Sequence, residues 1–347
     1  MCEIEKDTVV NDGSTVDLRY LKDWKFNTST DAAGDGEVSP LFVTPSYFQE
    51  DWLNAALSSS STSSSKGAYN FCYLGPAGTS TRLHSDVLQS YSWSTNVLGT
   101  KRWILIPERY TFLLYDVFGV RVAGHVWHDL ESGFGQGGGW LYPGLSEARK
   151  RSYKLIQSSG STIFVPSGWF HTVENVTHCL SVNCNWLNGY NLGRCWGKLR
   201  GELSGVEEGM GGQQQQRQEQ RVGGEEEGAS EDGYNPPIVF NSGDGAEDKG
   251  KEDAKTQQVG GDLHLLYNVI VHRVKFIMEV GIPKAGPYND MFGVFKRDLK
   301  TIEGVLREIV EIFVEGDRGD VHEVRMNCDY RGKEVLGMVV SVLEGLG

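Results

Sequence analysis

No stretch of eighteen consecutive apolar residues occurs in the 347-residue chain, and the opening MCEIEKDTVV lacks the basic-then-apolar order of a secretory signal. A bilayer-crossing helix is therefore not expected. The expected location is the cytoplasm; no clear basic import cluster is visible, but its absence proves little, and the nucleus is left open. Six cysteines (Cys2, Cys72, Cys179, Cys184, Cys195, Cys328) contain no CxxC pair, which argues against zinc ribbons and thioredoxin-like sites and makes free thiols the default. Positive charge is also in short supply. Lys and Arg number 33 against 46 Asp and Glu, a formal net of -13, and a general nucleic-acid binder needs surplus cations to neutralise phosphate.

That acidity is unevenly placed. Residues 201–261 carry fourteen acidic and five basic side chains, a net of -9, so about -4 remains for the rest. The same tract contains QQQQRQEQ, GGEEEGASEDG and NSGDGAEDKGKEDAK, too few apolar groups to offset the entropy of ordering, and a disordered insert is expected. Two shorter stretches, Ser58 to Lys66 and Ser132 to Gly139, have the composition of flexible surface loops.

What is present between these breaks is mostly β. KRWILIP (Lys101 to Pro107), STIFVPSGW (Ser161 to Trp169) and CLSVNCNWL (Cys179 to Leu187) are short runs rich in β-branched or aromatic residues and bounded by turn residues. Several such strands separated by irregular loops predict a barrel or jelly roll. After the acidic tract the period changes: Ile302, Val305, Leu306, Ile309, Val310 and Phe313 recur at three- and four-residue spacing. LHLLYNVIVHRVKFIMEVG and KEVLGMVVSVLEGL also predict helices. The expected organisation is a barrel over 1–200, the acidic insert over 201–261 and a helical region over 262–347.

The chemistry-bearing stretch is TSTRLHSDVLQSYSWSTNVLGTKRW, Thr79 to Trp103. His84 and Asp86 are two apart, so on an extended backbone both point to one face and can approach one ion. His171, in FVPSGWFHTVEN, is the best third ligand, because it follows a strand and a Pro-Ser-Gly turn. Two imidazoles and a carboxylate leave three octahedral positions open, the facial arrangement of non-haem Fe(II) oxygenases. An HxD pair alone is weak; its surroundings strengthen it.

The phrases YLKDW (Tyr20 to Trp24), YFQEDWLN (Tyr47 to Asn54), YLGPAGTSTRLHSD, YSWSTNVLGTKRW, FVPSGWFHTVEN and NWLNGYNL (Asn185 to Leu192) together resemble the JmjC family of Fe(II)- and 2-oxoglutarate-dependent oxygenases over most of residues 19–200. The resemblance implies a double-stranded β-helix of the cupin type, mainly β with α, followed here by the helical region. It implies iron ligands at His84, Asp86 and His171. Lys101, seventeen residues after His84, matches the lysine that pairs with the far carboxylate of 2-oxoglutarate. A buried dicarboxylate needs such a cation. Thr81 and Tyr20 match hydroxyl donors to the same carboxylate. Either Asn183 or Asn185 matches an asparagine near the iron-bound end of the cosubstrate, with Asn183 preferred. Tyr91, Trp93 and Trp103 either wall the pocket or belong to the barrel core.

Within that family the SWSTN and NWLNG phrases are closest to a clade that hydroxylates a lysine of the eukaryotic translation termination factor. The expected activity is thus protein lysyl hydroxylation, using iron, 2-oxoglutarate and dioxygen, with that factor as protein partner and neither nucleic acid nor membrane bound. The alternatives are histone lysine demethylation by the same oxidant, a catalytically silent scaffold, and, as a minor reading, a metal-only cupin with no evident need for Lys101. Relatives carry a further region ahead of the YLKDW phrase, which leads to the expectation of a shortened chain. The remaining histidines are assigned bland roles: His125 and His128 a solvated pair, His178 no ligand role, His264, His272 and His322 structural or solvent-facing. Arg82 and Arg102 are expected to face outward.

Overall fold

The computed structural model describes residues 3–11, 14–25, 42–59, 69–123, 141–204, 244–281, 290–312 and 332–346. It divides into two compact units, Met1–Arg194 and Cys195–Gly347.

Among the described residues the first unit is built on nine antiparallel strands. They are β1 (Glu3–Asn11), β2 (Ser14–Lys25), β3 (Asn70–Gly75), β4 (Tyr91–Leu98), β5 (Lys101–Ile106), β6 (Tyr153–Gln157), β7 (Thr162–Val165), β8 (Phe170–Asn175) and β9 (Cys179–Trp186). A six-stranded sheet runs β1-β2-β3-β9-β4-β7, and a three-stranded sheet runs β6-β5-β8. Inward side chains of both sheets line one cavity, so the sheets face each other as the two walls of a barrel. The expected β barrel followed by helices is what the chain forms.

Alternation along the strands assigns each face its job. On the large sheet Ser92 pairs with Asn185 and Ser94 with Asn183, and all four line the cavity. The intervening Trp93 and Cys184, with Trp186, turn to the opposite face and pack there against Phe42, Phe48 and Tyr91. Trp93 is stacked on Phe48 at 6.1 Å. Tyr91 and Trp93 are therefore core, whereas Trp103 does wall the cavity. Strands β4 and β9 thus invert the usual pattern: their aromatic residues pack the outside of the barrel and their polar residues fill the inside.

On the small sheet Lys101 and Trp103 face the cavity, while Ile104 and Ile106 form a separate core with Leu114, Leu145 and Ala148. A helix over Leu145–Arg151 contributes the last two of these. Each large side chain so buried contributes roughly 1.5–3 kcal/mol. Isolated bridges Ser80↔Glu174 and His84↔His171 lay the segment before β4 along the free edge of β8.

The second unit is helical, with Asp244–Val280, Asp290–Val310 and Gly332–Gly345 as its long elements. Leu263, Leu266, Phe295, Leu299, Ile302 and Leu306 are buried. The bounds expected for the acidic insert need correction. Residues 201–204 complete a helix that begins at 192, and the helix expected from 262 begins at Asp244. The residues DGAEDKGKEDAKTQQ are rich in Glu, Lys, Ala and Gln, good helix formers once one end is anchored. The part of the insert between 205 and 243, and the loop 132–139, lie outside the described residues, as do His125, His128 and His322. No helix among the described residues is long and apolar enough to cross a membrane.

Candidate metal centre

His84 and His171 are brought together by backbone, not by sequence. They form an antiparallel bridge in which His84 N donates to His171 O at 3.1 Å and His171 N donates to His84 O at 2.8 Å. The rings lie 4.3 Å apart. Asp86 is not on a strand; it sits at the start of the 3-10 turn Val87–Gln89 with extended φ and ψ of -61° and 150°. Its carboxylate nevertheless joins the two imidazoles, and one ligand atom from each residue lies within 4.8 Å of the other two.

The hydrogen bonds around the three residues suit a cation. His84 Nδ1 is 2.7 Å from the Arg82 carbonyl oxygen, which can only accept, so Nδ1 carries a hydrogen and Nε2 is the nitrogen left to face an ion. Burial, followed by the neighbouring His84, pushes the His171 pKa from 6.5 down to about 4, so that imidazole is neutral at pH 7. Asp86 is held on both oxygens: Ser92 Oγ donates to Oδ2 at 2.7 Å and Asn185 Nδ2 donates to Oδ1 at 2.9 Å. Trp103 lies against His171 with ring centroids 5.8 Å apart, and its indole N–H is spent on Gln157 at 2.7 Å. Two oriented imidazoles and a carboxylate held on both oxygens fit a divalent metal.

The same cavity also contains the other predicted residues. Lys101 is 2% exposed. Its ammonium donates to Asn175 Oδ1 at 3.0 Å, the one acceptor it meets among the described residues. Three donors are available on an ammonium, so the charge is buried with most of its bonding capacity unspent. Burial lowers its pKa from 10.5 to about 8. Tyr20 is buried with its ring centroid 6.0 Å from the ammonium. Thr81 Oγ1 accepts the Val173 N–H at 3.0 Å and still has its own proton to give. Asn183 lines the cavity but is tied to Ser94 at 2.8 Å. Of the two asparagines weighed from sequence, Asn185 is the one on the metal-side carboxylate.

Sequence reasoning missed Asn175, Thr79, Ser92 and Gly75. Asn175 stands directly opposite Lys101 across β5 and β8, and its amide N–H donates to Thr79 Oγ1 at 2.9 Å. It lies four residues after His171 on one strand, so period-two alternation could have found it. Gly75 is required by close approach: a Cβ there would meet Tyr20 Cδ2 at 2.4 Å and Thr79 Oγ1 at 2.7 Å. Arg102 faces outward onto Glu174, and Arg82 is exposed, as expected. His178 is exposed in the turn before β9, while His264 and His272 lie on the helix Asp244–Val280 of the second unit.

A two-sheet antiparallel barrel with a His-Asp-His cluster inside defines a cupin-like class of protein. Residues 71–186 match the family model described as JmjC domain, hydroxylase, and a JmjC domain is present in this chain. Similar proteins include the 2-oxoglutarate and iron-dependent oxygenase JMJD4 of Danio rerio, 38% identical over 188 residues, 54% of this chain and 40% of that protein. The human protein of the same name is 35% identical over 197 residues, 54% of this chain and 41% of its own length. The arginine-specific demethylase JMJ20 of Arabidopsis thaliana is 35% identical over 201 residues, 54% of this chain and 40% of that protein. The matching region thus spans about two-fifths of these curated relatives.

Proposed function

We propose that the cavity is the active site of an Fe(II)- and 2-oxoglutarate-dependent protein hydroxylase whose substrate is a lysine of the translation termination factor. The observation that carries this reading is the union, in one cavity, of a three-donor metal cluster with a buried ammonium that lacks an anion. A metal-only cupin has no use for Lys101, and a scaffold has no use for either. A dicarboxylate acid uses both, one end at the metal and the other at Lys101. The names of the JMJD4 relatives, which state iron and 2-oxoglutarate dependence, support the same pair of cofactors.

On this reading His84, Asp86 and His171 hold the metal as two neutral imidazoles and one carboxylate. Ser92 and Asn185 keep the Asp86 oxygens aimed, so that the ligand does not rotate away. Lys101 and the free Thr81 proton grip the far carboxylate of the cosubstrate, with Tyr20 closing that end. Asn183 faces the cosubstrate between the two ends. Trp103 and Val173 exclude water from the space between. Bound iron with 2-oxoglutarate and dioxygen supplies the oxidising power that places one oxygen atom in a substrate C–H bond and the other in succinate, with loss of carbon dioxide.

The lysine substrate rests on the resemblance of the SWSTN and NWLNG phrases, and it implies work in the cytoplasm. A second reading, demethylation, is favoured by the Arabidopsis relative named for that activity. The same chemistry on an N-methyl group releases formaldehyde. The test loads the protein with Fe(II) and 2-oxoglutarate without oxygen, admits oxygen with a lysine-containing termination-factor fragment, and follows fragment mass, succinate and formaldehyde beside His171→Ala. One added oxygen on one lysine supports the hydroxylase. Formaldehyde from methylated peptides supports the second reading, and absence of succinate from folded, iron-loaded protein overturns both.

A further inference from the structure

The cavity opens into a wider depression that shares His84 and Asp86 with it and is bounded outside by Asp23, Tyr69 and Phe71 and by the cations Lys22, Lys25 and Arg82. Any side chain presented to the metal cluster from this side passes along these groups. The pairing of β2 with β3 is broken by a bulge between Leu21 and Trp24. Within the bulge Asp23 has φ of 51°, a left-handed conformation that few non-glycine residues adopt and that aspartate tolerates better than most. Bulges re-aim side chains beside functional sites. Here the bulge aims an exposed carboxylate into the depression, where Oδ1 accepts a hydrogen bond from the Tyr73 hydroxyl. No Lys or Arg among the described residues forms an ion pair with it.

The aromatic wall beside Asp23 gives an independent sign. The chain's own Lys25 ammonium rests over Tyr69 at 4.8 Å and over Phe71 at 5.8 Å, so these rings already hold an alkylammonium. A carboxylate with an open oxygen, beside rings that Lys25 already covers, suits a lysine side chain whose charge meets the anion rather than the rings.

We propose that Asp23 is the specificity-determining anion of this site and pairs with the ammonium of the substrate lysine in the groove leading to His84 and Asp86. The inference rests on the hydroxylase reading above and names the residue that selects its substrate.

The test measures peptide binding apart from turnover. Full-length protein loaded with Mn(II) and 2-oxoglutarate is titrated calorimetrically with a lysine-containing termination-factor peptide and with the same peptide bearing norleucine, which keeps the stem and removes the charge. The wild type is expected to prefer lysine by about tenfold. Asp23→Asn, whose side chain tolerates the left-handed backbone, should bring that ratio to about one with an unchanged melting temperature. Tyr73→Phe, which frees the carboxylate from its fixed donor, should lower the ratio partway. A wild-type ratio near one, a ratio that survives Asp23→Asn, or no measurable binding of either peptide overturns the proposal. A lysine preference that depends on Asp23, in a protein that makes neither succinate nor hydroxylysine with iron, keeps this proposal as a binding site and discards the hydroxylase reading.

Discussion

Two buried charges, one in each unit, are treated in opposite ways. Asp298 of the helical unit is 0% exposed and is met by Arg273 at 2.7 Å and by Arg297, so its charge is neutralised within the fold. Lys101 of the barrel is 2% exposed and is met by one neutral amide oxygen. Burial of a charge costs several kcal/mol unless partners offset it. A closed network is a structural device, whereas an open one stores an unmet demand that a ligand of opposite charge can answer. The difference marks which buried charge belongs to stability and which to binding.

The sharpest way to break this comparison is to remove the site that Lys101 is thought to serve. His171→Ala should lower cosubstrate-dependent turnover by about a thousandfold or more, measured as succinate, while iron retention falls and the helical unit is unaffected. Retained turnover would separate Lys101 from any metal chemistry. Next in size, Asp298→Ala should destabilise by about 3–5 kcal/mol in urea unfolding, because two arginines lose their anion, with KM for 2-oxoglutarate unchanged. Lys101→Met should do the reverse. It removes an unpaired charge, so the cofactor-free protein gains about 1–3 kcal/mol while KM for 2-oxoglutarate rises about a hundredfold. Destabilisation by Lys101→Met would show that the cation is structural after all.

Proton release sharpens the same contrast without mutation. The Lys101 pKa lies near 8 in the folded chain and at 10.5 when unburied, so the unfolded state binds the proton more tightly. Stability of the cofactor-free protein should therefore rise with pH between about 8 and 10.5, and cosubstrate affinity should fall over the same range as the ammonium is lost. The smallest effect is expected at Arg102→Ala. Its pairing with Glu174 is partly solvent-exposed, and surface pairs contribute about 0–1 kcal/mol, with turnover unchanged.

Much of the candidate site was legible because its residues carry chemical identity at short spacing. His84 and Asp86 announce a metal by type and interval, and Lys101 by type and resemblance. Asn175 was not legible, since an asparagine says nothing until its register against Lys101 is known. The choice between Asn183 and Asn185 turned on one strand's pairing with β4, which puts Asn185 beside Asp86 and Asn183 beside Ser94. Trp93 was ambiguous for the same reason. Period-two alternation states that Trp93 and Ser94 lie on opposite faces, but not which face is the inside of a barrel.

The sequence by itself determined the strand-rich half and the helical half, through their periods of two and of about 3.6, and it carried the donor types of the metal cluster. The backbone is extended at Asp86, as expected, but no regular strand carries the pair; a backbone bridge from His84 to His171 and the 3-10 turn that follows Asp86 complete the cluster. Only the tertiary structure decided which distant segments of the barrel meet. It set Lys101 against Asn175 with no anion, and it turned Asp23 into the groove at a left-handed bulge. The physical reason is that composition and spacing encode local preference, whereas burial and unmet hydrogen-bonding capacity depend on the partners that pairing between distant strands brings to each group.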